Sequence, residues 1–335
     1  MYINTKTPVR TRADSFGYRD KKLPRLSFVL SHILSKLLAD AEFYFVSRYG
    51  PYSKPVMLLF TLLIAAIAWD AVSALPAQAQ DTPAAQQPAK SSDTEEDLIN
   101  ADRPGIANGS QVIGPRRFQI EIGIEQDLLG GKGSASRLLT VPTLLRFGID
   151  TRYELRIETA GFSRLSSPAP TGTQHTQGLA PVSIGFKRQF QTSKGPAHPS
   201  IGTIVRFFPG SGSGAFRSNH FTGDALLAMD WDFMPKLSLN PNIGYAIYED
   251  NAGKSFANFH FANTLTYAPT TRLNFFVDFG LQSPETTGGN TSLIYDGGVT
   301  YILGRNIQLD FSVGTGILGK TVPHPFWATG VSVRF

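Results

Sequence analysis

The sequence predicts an all-β fold: a transmembrane antiparallel β-barrel of about 12 strands, preceded by a signal-bearing leader. Three observations predict it. From Arg117 onward apolar residues recur at every second position, in segments of about 10 residues separated by Gly, Pro, Asp and Asn. The connections alternate between short turns and longer polar loops. Aromatic residues gather at the segment ends, and the chain closes on Phe335. Composition agrees. Of 335 residues only 17% are charged, 32 are Gly and 24 are Phe, which suits a strand-rich wall with tight turns. There is no cysteine, so a disulfide framework, a thiolate metal site and a cysteine nucleophile are excluded.

The leader occupies residues 1–79. Its apolar run, 58–68, follows Arg48 and Lys54 and precedes a small-x-small site at Ala77-Gln78-Ala79. The run is too short to span a bilayer as a helix, so its length and flanks favour a signal peptide over a membrane anchor ended by Asp70. Cleavage there predicts a mature chain starting near Gln80. Residues 1–56 read either as a long basic region before the signal or as sequence ahead of a later start at Met57. The leader also explains the net charge of +5. Residues 1–79 hold 10 Lys and Arg against 5 Asp and Glu, and the remainder is balanced. The sequence pI of about 9.3 is therefore no argument for nucleic acid, and no nucleic-acid partner is expected. Residues 80–100, rich in Ala, Pro, Gln, Ser, Asp and Glu, have the composition of a disordered linker.

The barrel is expected over 101–335, with strands near 117–127, 138–149, 153–163, 178–190, 199–209, 220–233, 237–248, 256–268, 272–282, 291–303, 306–317 and 326–335. Short turns fall at 150–152, 234–236, 269–271 and 304–306. Long outer loops fall at 163–177, 210–219 and 283–290. The 192–198 connection is longer than an inner turn should be. Phe118, Phe147, Tyr153, Phe190, Trp231, Phe233, Tyr267, Tyr301 and Phe335 lie beside the short turns, as an interfacial girdle would. Phe207, Phe221, Phe279 and Trp327 mark the opposite end. The final strand carries Gly330, Val333 and Phe335 in the manner of a carboxy-terminal assembly signal, which names barrel-assembly machinery as a partner; the competing reading is an ordinary edge strand.

Alternation turns most wall charges inward. The candidate lumen-lining set is Glu121, Arg146, Glu154, Arg156, Glu158, Lys187, Arg206, Asp230, His260, Asp278, Asp296, Asp310 and Arg334. Glu125, Asp224 and Asp232 share that side, whereas Arg188 shares a face with Phe190. Mutual pairing is favoured over solute contact for most of them, because a 12-strand lumen is narrow. Inward Phe276 and Ile294 suggest apolar patches. No enzyme is expected: the sequence offers no nucleophile elbow, no HExxH and no phosphate-binding loop, and the Gly-rich 209–214 stretch lacks the Lys-Ser/Thr that such a loop needs. No cofactor and no metal are expected.

Four stretches carry a resemblance. They are Asp102-Arg103-Pro104-Gly105, residues 114–121 (GPRRFQIE), residues 144–149 (LLRFGI) with 153–156 (YELR), and residues 296–301 (DGGVTY) with 308–310 (QLD). Over 101–335 the chain resembles the outer-membrane proteins grouped as the meta-pathway phenol-degradation family. Its turn reads Asp150-Thr151-Arg152 where the family more often has Thr, Asp, Arg. The resemblance implies a barrel in the bacterial outer membrane and a role in passing aromatic or other small hydrophobic compounds. The expected function is thus passive passage of a small-molecule solute, with outer-membrane lipid around the wall. Two rivals stand beside it. One is a non-conducting structural or surface-interaction barrel, marked by a lumen sealed with paired charges. The other is a barrel-embedded hydrolase, which needs an outward Ser/His pair; the mid-strand His260 points the other way.

Overall fold

A computed structural model of the chain describes residues 97–130, 135–249, 255–284, 289–319 and 322–335. The expected signal segment and most of the linker lie outside the described residues. Fifteen strands follow in order: β1 Phe118–Leu129, β2 Ser136–Thr140, β3 Thr143–Gly148, β4 Tyr153–Thr159, β5 Phe162–Ala169, β6 Gly172–Leu179, β7 Val182–Gln191, β8 Ser200–Phe208, β9 Thr222–Met234, β10 Leu237–Glu249, β11 Ser255–Tyr267, β12 Leu273–Gln282, β13 Ser292–Ile302, β14 Ile307–Leu318 and β15 Phe326–Arg334. All pairings are antiparallel. The sheet closes where β1 meets β15, in register from Gln119 opposite Arg334 to Asp127 opposite Phe326. Closure removes the free edges of the staves, as lipid requires, except along β6, which pairs only with β5.

The fifteen strands make twelve staves, because three staves are each broken once. The breaks fall at Val141-Pro142 between β2 and β3, Ala160-Gly161 between β4 and β5, and Ala180-Pro181 between β6 and β7. The expectation of continuous strands there is corrected by the local residues: proline cannot donate to a ladder, and Gly161 has φ +66°. Loop bonds bridge the line, for example Gly123 N–H to Pro142 O at 3.0 Å and Ala180 N–H to Gly161 O at 2.8 Å. The expected long loop 163–177 is also corrected. It is the hairpin β5–β6, paired from Phe162 opposite Leu179 to Ala169 opposite Gly172. Its two-sided polarity hides the alternation that reveals the other strands. The 192–198 connection remains longer than its neighbours and is tied by Lys194 N–H to His198 O, 3.0 Å.

Outward residues are apolar and exposed, among them Ile122, Ile124, Phe186, Leu227, Ile243, Phe275, Val277 and Phe311. The girdle beside the short turns is packed ring on ring. Phe118 stacks on Phe147 with centroids 4.7 Å apart and on Phe335 at 5.9 Å, and Trp231 lies 5.6 Å from Phe233. Arg188 stays on that outer face, its guanidinium 4.5 Å above the Phe190 ring. The end bearing this girdle is the periplasmic one, since it carries the short turns and both ends of the barrel domain.

Candidate functional site

The inward face holds the polar groups, and the segment before β1 fills much of the space between them. Residues 97–116 enter at the periplasmic end, rise to mid-lumen and return to the foot of β1. The base is fixed by Asp97, which pairs with Arg117 and with Arg334 (3.1 Å), and by Ile99 N–H bonded to Arg305 O at 2.8 Å. The return leg ends with Arg116 N–H on Gly148 O, 2.9 Å. Residues 97–100, expected as the end of a disordered linker, are thus bound to the barrel.

The segment has no regular structure, so its backbone donors need partners. Wall carboxylates and amides supply them. Glu121 Oε2 accepts from Asp102 N–H (3.0 Å) and Arg103 N–H (2.9 Å). Asp278 Oδ2 accepts from Ile106 N–H at 2.8 Å and Asn242 Oδ1 from Asn108 N–H at 2.7 Å. Asp230 Oδ2 accepts from Ser110 N–H (3.0 Å) and Ser110 Oγ (2.6 Å), and Glu154 Oε2 from Ile113 N–H (2.9 Å). In the other direction, Arg146 donates to the carbonyls of Asn100 and Gln111.

The electrostatic centre is Asp102. Its carboxylate meets Lys187 Nζ at 3.0 Å, Arg156 Nη1, and Arg146 Nη1 at 3.8 Å. Arg146, Arg156 and Lys187 are each at most 1% exposed. They stand on the adjacent strands β3, β4 and β7. Glu121 and Glu154 complete the cluster through Arg146, at 3.0 and 2.7 Å. A second wall network joins Arg206 to Asp224 (2.7 Å) and Glu158 (3.0 Å), with Glu158 also on Arg156 (2.6 Å). Arg103 crosses to Asp310 at 3.1 Å. It passes over Gly123 and Gly330, which face each other across β1 and β15; a Cβ at Gly330 would lie 2.6 Å from Arg103 Nε.

The structure therefore brings Glu121, Arg146, Glu154, Arg156, Lys187, Asp230, Asp278 and Asp310 together around the inserted segment. Glu158 and Arg206 pair along the wall. Asp296 stands opposite Asp278, with the Oδ1 atom of each lacking a hydrogen-bond donor among the described residues. Arg334 sits at the periplasmic base, on Asp97 and Asn306. His260 lies higher, against Gly244. Alternation located these side chains; the backbone they bind has no sequence code, so Asp102, Asn108 and Ser110 were missed as site residues. An outward Ser/His pair does exist, Ser166 Oγ to His175 Nδ1 at 2.9 Å. No acidic or amide side chain is bonded to that ring among the described residues, so the orienting third group of a hydrolase is missing there.

Two chambers lie along the lumen on either side of the segment's tip. The outer one, about 380 Å³, is bounded by Ile106, Arg206, Leu226, His260, Ile294 and Val322. The inner one, about 340 Å³, is bounded by Pro104, Asp230, Asp232, Thr266, Phe276 and Ile302. The boundary between them is where Asn108 binds Asn242 and Ile106 binds Asp278. A third space, about 470 Å³, lies beside the strand breaks, against Pro142, Ala160 and Pro181.

Comparison with solved structures gives an outer-membrane channel from Pseudomonas putida F1 at TM-score 0.54 and 10% identity, covering 68% of this chain and 98% of that one. The NanC porin follows at TM-score 0.42 and 11% identity, covering 64% and 100%. A channel for monoaromatic hydrocarbons, CymD, stands at 0.39 and 10%, covering 66% and 88%. No curated protein matches the sequence. The first of these likenesses supports the barrel fold. A family model matches residues 101–335, most of the inserted segment and the whole wall together, and on that match the chain belongs to the family described as "Putative MetA-pathway of phenol degradation".

Proposed function

We propose that the protein is a plugged outer-membrane channel through which small, weakly polar molecules, aromatic compounds among them, pass without energy input. The observation that carries this reading is the pair of chambers that both border the tip at residues 105–109. Both are lined by apolar residues beside hydrogen-bonding groups, a surface suited to a solute with one polar end. The tip is held mainly by backbone-to-side-chain bonds, whereas the segment's root is held by buried ion pairs. Displacing the tip breaks a few bonds of about 1–3 kcal/mol each, and displacing the root breaks buried ion pairs that are stronger. The family description supports the solute class. In this reading the inward charges position the plug more than they select solute, and the protein is a channel rather than an enzyme. Gly330, Val333 and Phe335 are read as the signal for assembly machinery, and outer-membrane lipid as the partner of the outer face.

The test uses the absence of native cysteine. The double variant Asn108→Cys, Asn242→Cys is placed in planar bilayers, and conductance and uptake of a neutral phenol are recorded before and after oxidation. The cross-link is expected to lower both several-fold, with recovery on reduction. Passage unaffected by the cross-link would place the route elsewhere. A folded wild-type barrel that passes neither ions nor solute would favour the sealed reading, for which the saturated Asp102 cluster is the supporting observation.

A further inference from the structure

The outward face changes character at its extracellular edge, on β1 and the neighbouring staves that contain the strand breaks. Ile124 of β1, Phe162 of β5 and Leu179 of β6 are exposed and apolar. One row higher, Gln126, Leu139, Arg164 and Gln177 are successive cross-strand partners on β1, β2, β5 and β6. The next row is Leu128, Arg137, Ser166 and His175 on the same strands. Thr140 and Ser163, directly opposite each other, are buried inward, so Arg137 and Arg164 point outward by alternation. The two arginines are diagonal neighbours on adjacent strands, close enough for one anion to meet both. Neither has an ion-pair or hydrogen-bond partner among the described residues.

Height decides what they face. Arg137 stands ten residues along its stave from Phe147, and Arg164 eleven from Tyr153, both of the periplasmic girdle. At about 2.5 Å of rise per residue for a tilted strand, that is roughly 25 Å, the full height of an outer-membrane apolar band. Trp327, cross-strand partner of Gln126, marks the same level. Two unpaired guanidiniums therefore sit at headgroup height with acyl chains directly below, on Ile124, Phe162 and Leu179. A cation there is stable when it meets phosphate, for which the guanidinium fork is shaped. Ser166 and His175, bonded to each other beside Arg137, add hydrogen-bonding groups.

We propose that Arg137 and Arg164, with Ser166, His175 and Gln177, form a binding site for the phosphate of a phosphorylated glycolipid of the outer leaflet, whose acyl chains lie on the apolar row beneath. The site rests on the outer-membrane placement above but is independent of whether the lumen conducts. It anchors the kinked staves from outside, on the face opposite the space beside Pro142 and Pro181.

The full chain, purified from membranes in detergent, is titrated with lipid A and followed by native mass spectrometry. Comparators are dephosphorylated lipid A, phosphatidylglycerol and inorganic pyrophosphate. Wild type is expected to bind lipid A with affinity about tenfold above that of Arg137→Ala, Arg164→Ala, while Arg137→Lys, Arg164→Lys keeps part of the binding. Heat-modifiable electrophoretic mobility verifies that each variant is folded, and Arg137→Gln, Arg164→Gln replaces the alanine pair if that pair fails to fold. Equal lipid A binding by a folded double variant overturns the proposal. So does equal binding of the dephosphorylated lipid, which would mean acyl contact alone. Pyrophosphate binding as tightly as lipid A would make this a free-anion site and overturn the lipid assignment. Recovery of the chain outside the membrane fraction would instead overturn the outer-membrane placement itself.

Discussion

Arg103 shows how single residues fix the plug. Its side chain can reach Asp310 only because Gly123 and Gly330 leave an open lane between β1 and β15. Asp310 has no exposed side-chain surface, so losing Arg103 leaves a buried carboxylate without its counter-charge. Gly330→Val is expected to displace the guanidinium and, since its Cβ would also lie 2.6 Å from the Ile122 carbonyl oxygen, to destabilise the barrel by more than about 3 kcal/mol, the cost of breaking a buried pair. Adding Asp310→Asn to Gly330→Val should recover part of that loss, because an amide needs no counter-charge. The check is thermal unfolding followed by heat-modifiable mobility. Equal unfolding temperatures for Gly330→Val and wild type would show that Arg103 is not held through this lane. Gly330 was legible from sequence as part of a terminal motif; its role as a passage for Arg103 was not, because that role depends on a residue more than two hundred positions away.

The plug and the staves divide what the sequence reveals at the level of elements. Strands such as β1 and β14 are written in strict alternation, since one face meets lipid and the other water or protein, and a slip of one residue would exchange them. The hairpin β5–β6 rises to the edge of the apolar band, where neither face must be apolar, and its residues read as loop. The plug shows no period at all. Its order comes from carboxylates such as Glu121 and Asp230 accepting backbone N–H groups, a contact any residue can make. Its tether at the base is more legible in its chemistry. Burial by itself would raise the Asp97 carboxyl, but the hydrogen bond from Arg117 and the charges of Arg334 and Arg117 hold it below the ordinary carboxylate value. A depressed folded-state value stabilises the tether above the unfolded value and loses that contribution as pH falls through the folded one. Residual conductance is therefore expected to rise as pH falls below about 4. Asp97→Asn should show the higher level already at neutral pH, with a small effect because the side chain is more than half exposed. Conductance traces at pH 7 and pH 3 for both proteins check this. A tether that matters predicts convergence at low pH, and a difference that persists there contradicts it.

Across the whole molecule the lumen has two unlike sides. On β3, β4, β7 and β8 the cations Arg146, Arg156, Lys187 and Arg206 are each matched by carboxylates on the same or neighbouring strands or on the plug. On β9 and β12, Asp230 and Asp278 are met by hydroxyl, amide and backbone groups, and no cationic side chain is paired with them among the described residues. Basic and acidic residues balance over 80–335, so these aspartates form a local acidic arc rather than a net negative wall. Such an arc in a narrow, low-dielectric channel raises the local concentration of cations. Open events are therefore expected to favour potassium over chloride. Asp230→Asn with Asp278→Asn should move the reversal potential in a salt gradient toward zero, whereas Arg146→Glu should chiefly lower stability, because that side chain is committed to the plug and to Glu121 and Glu154. Placing the acidic arc on the ion path predicts a shift for the aspartate pair at unchanged folding. If the reversal potential stays where it was while Arg146→Glu folds normally and alters selectivity, ions travel along the basic side, and the plug is held by less than the ion pairs around Asp102.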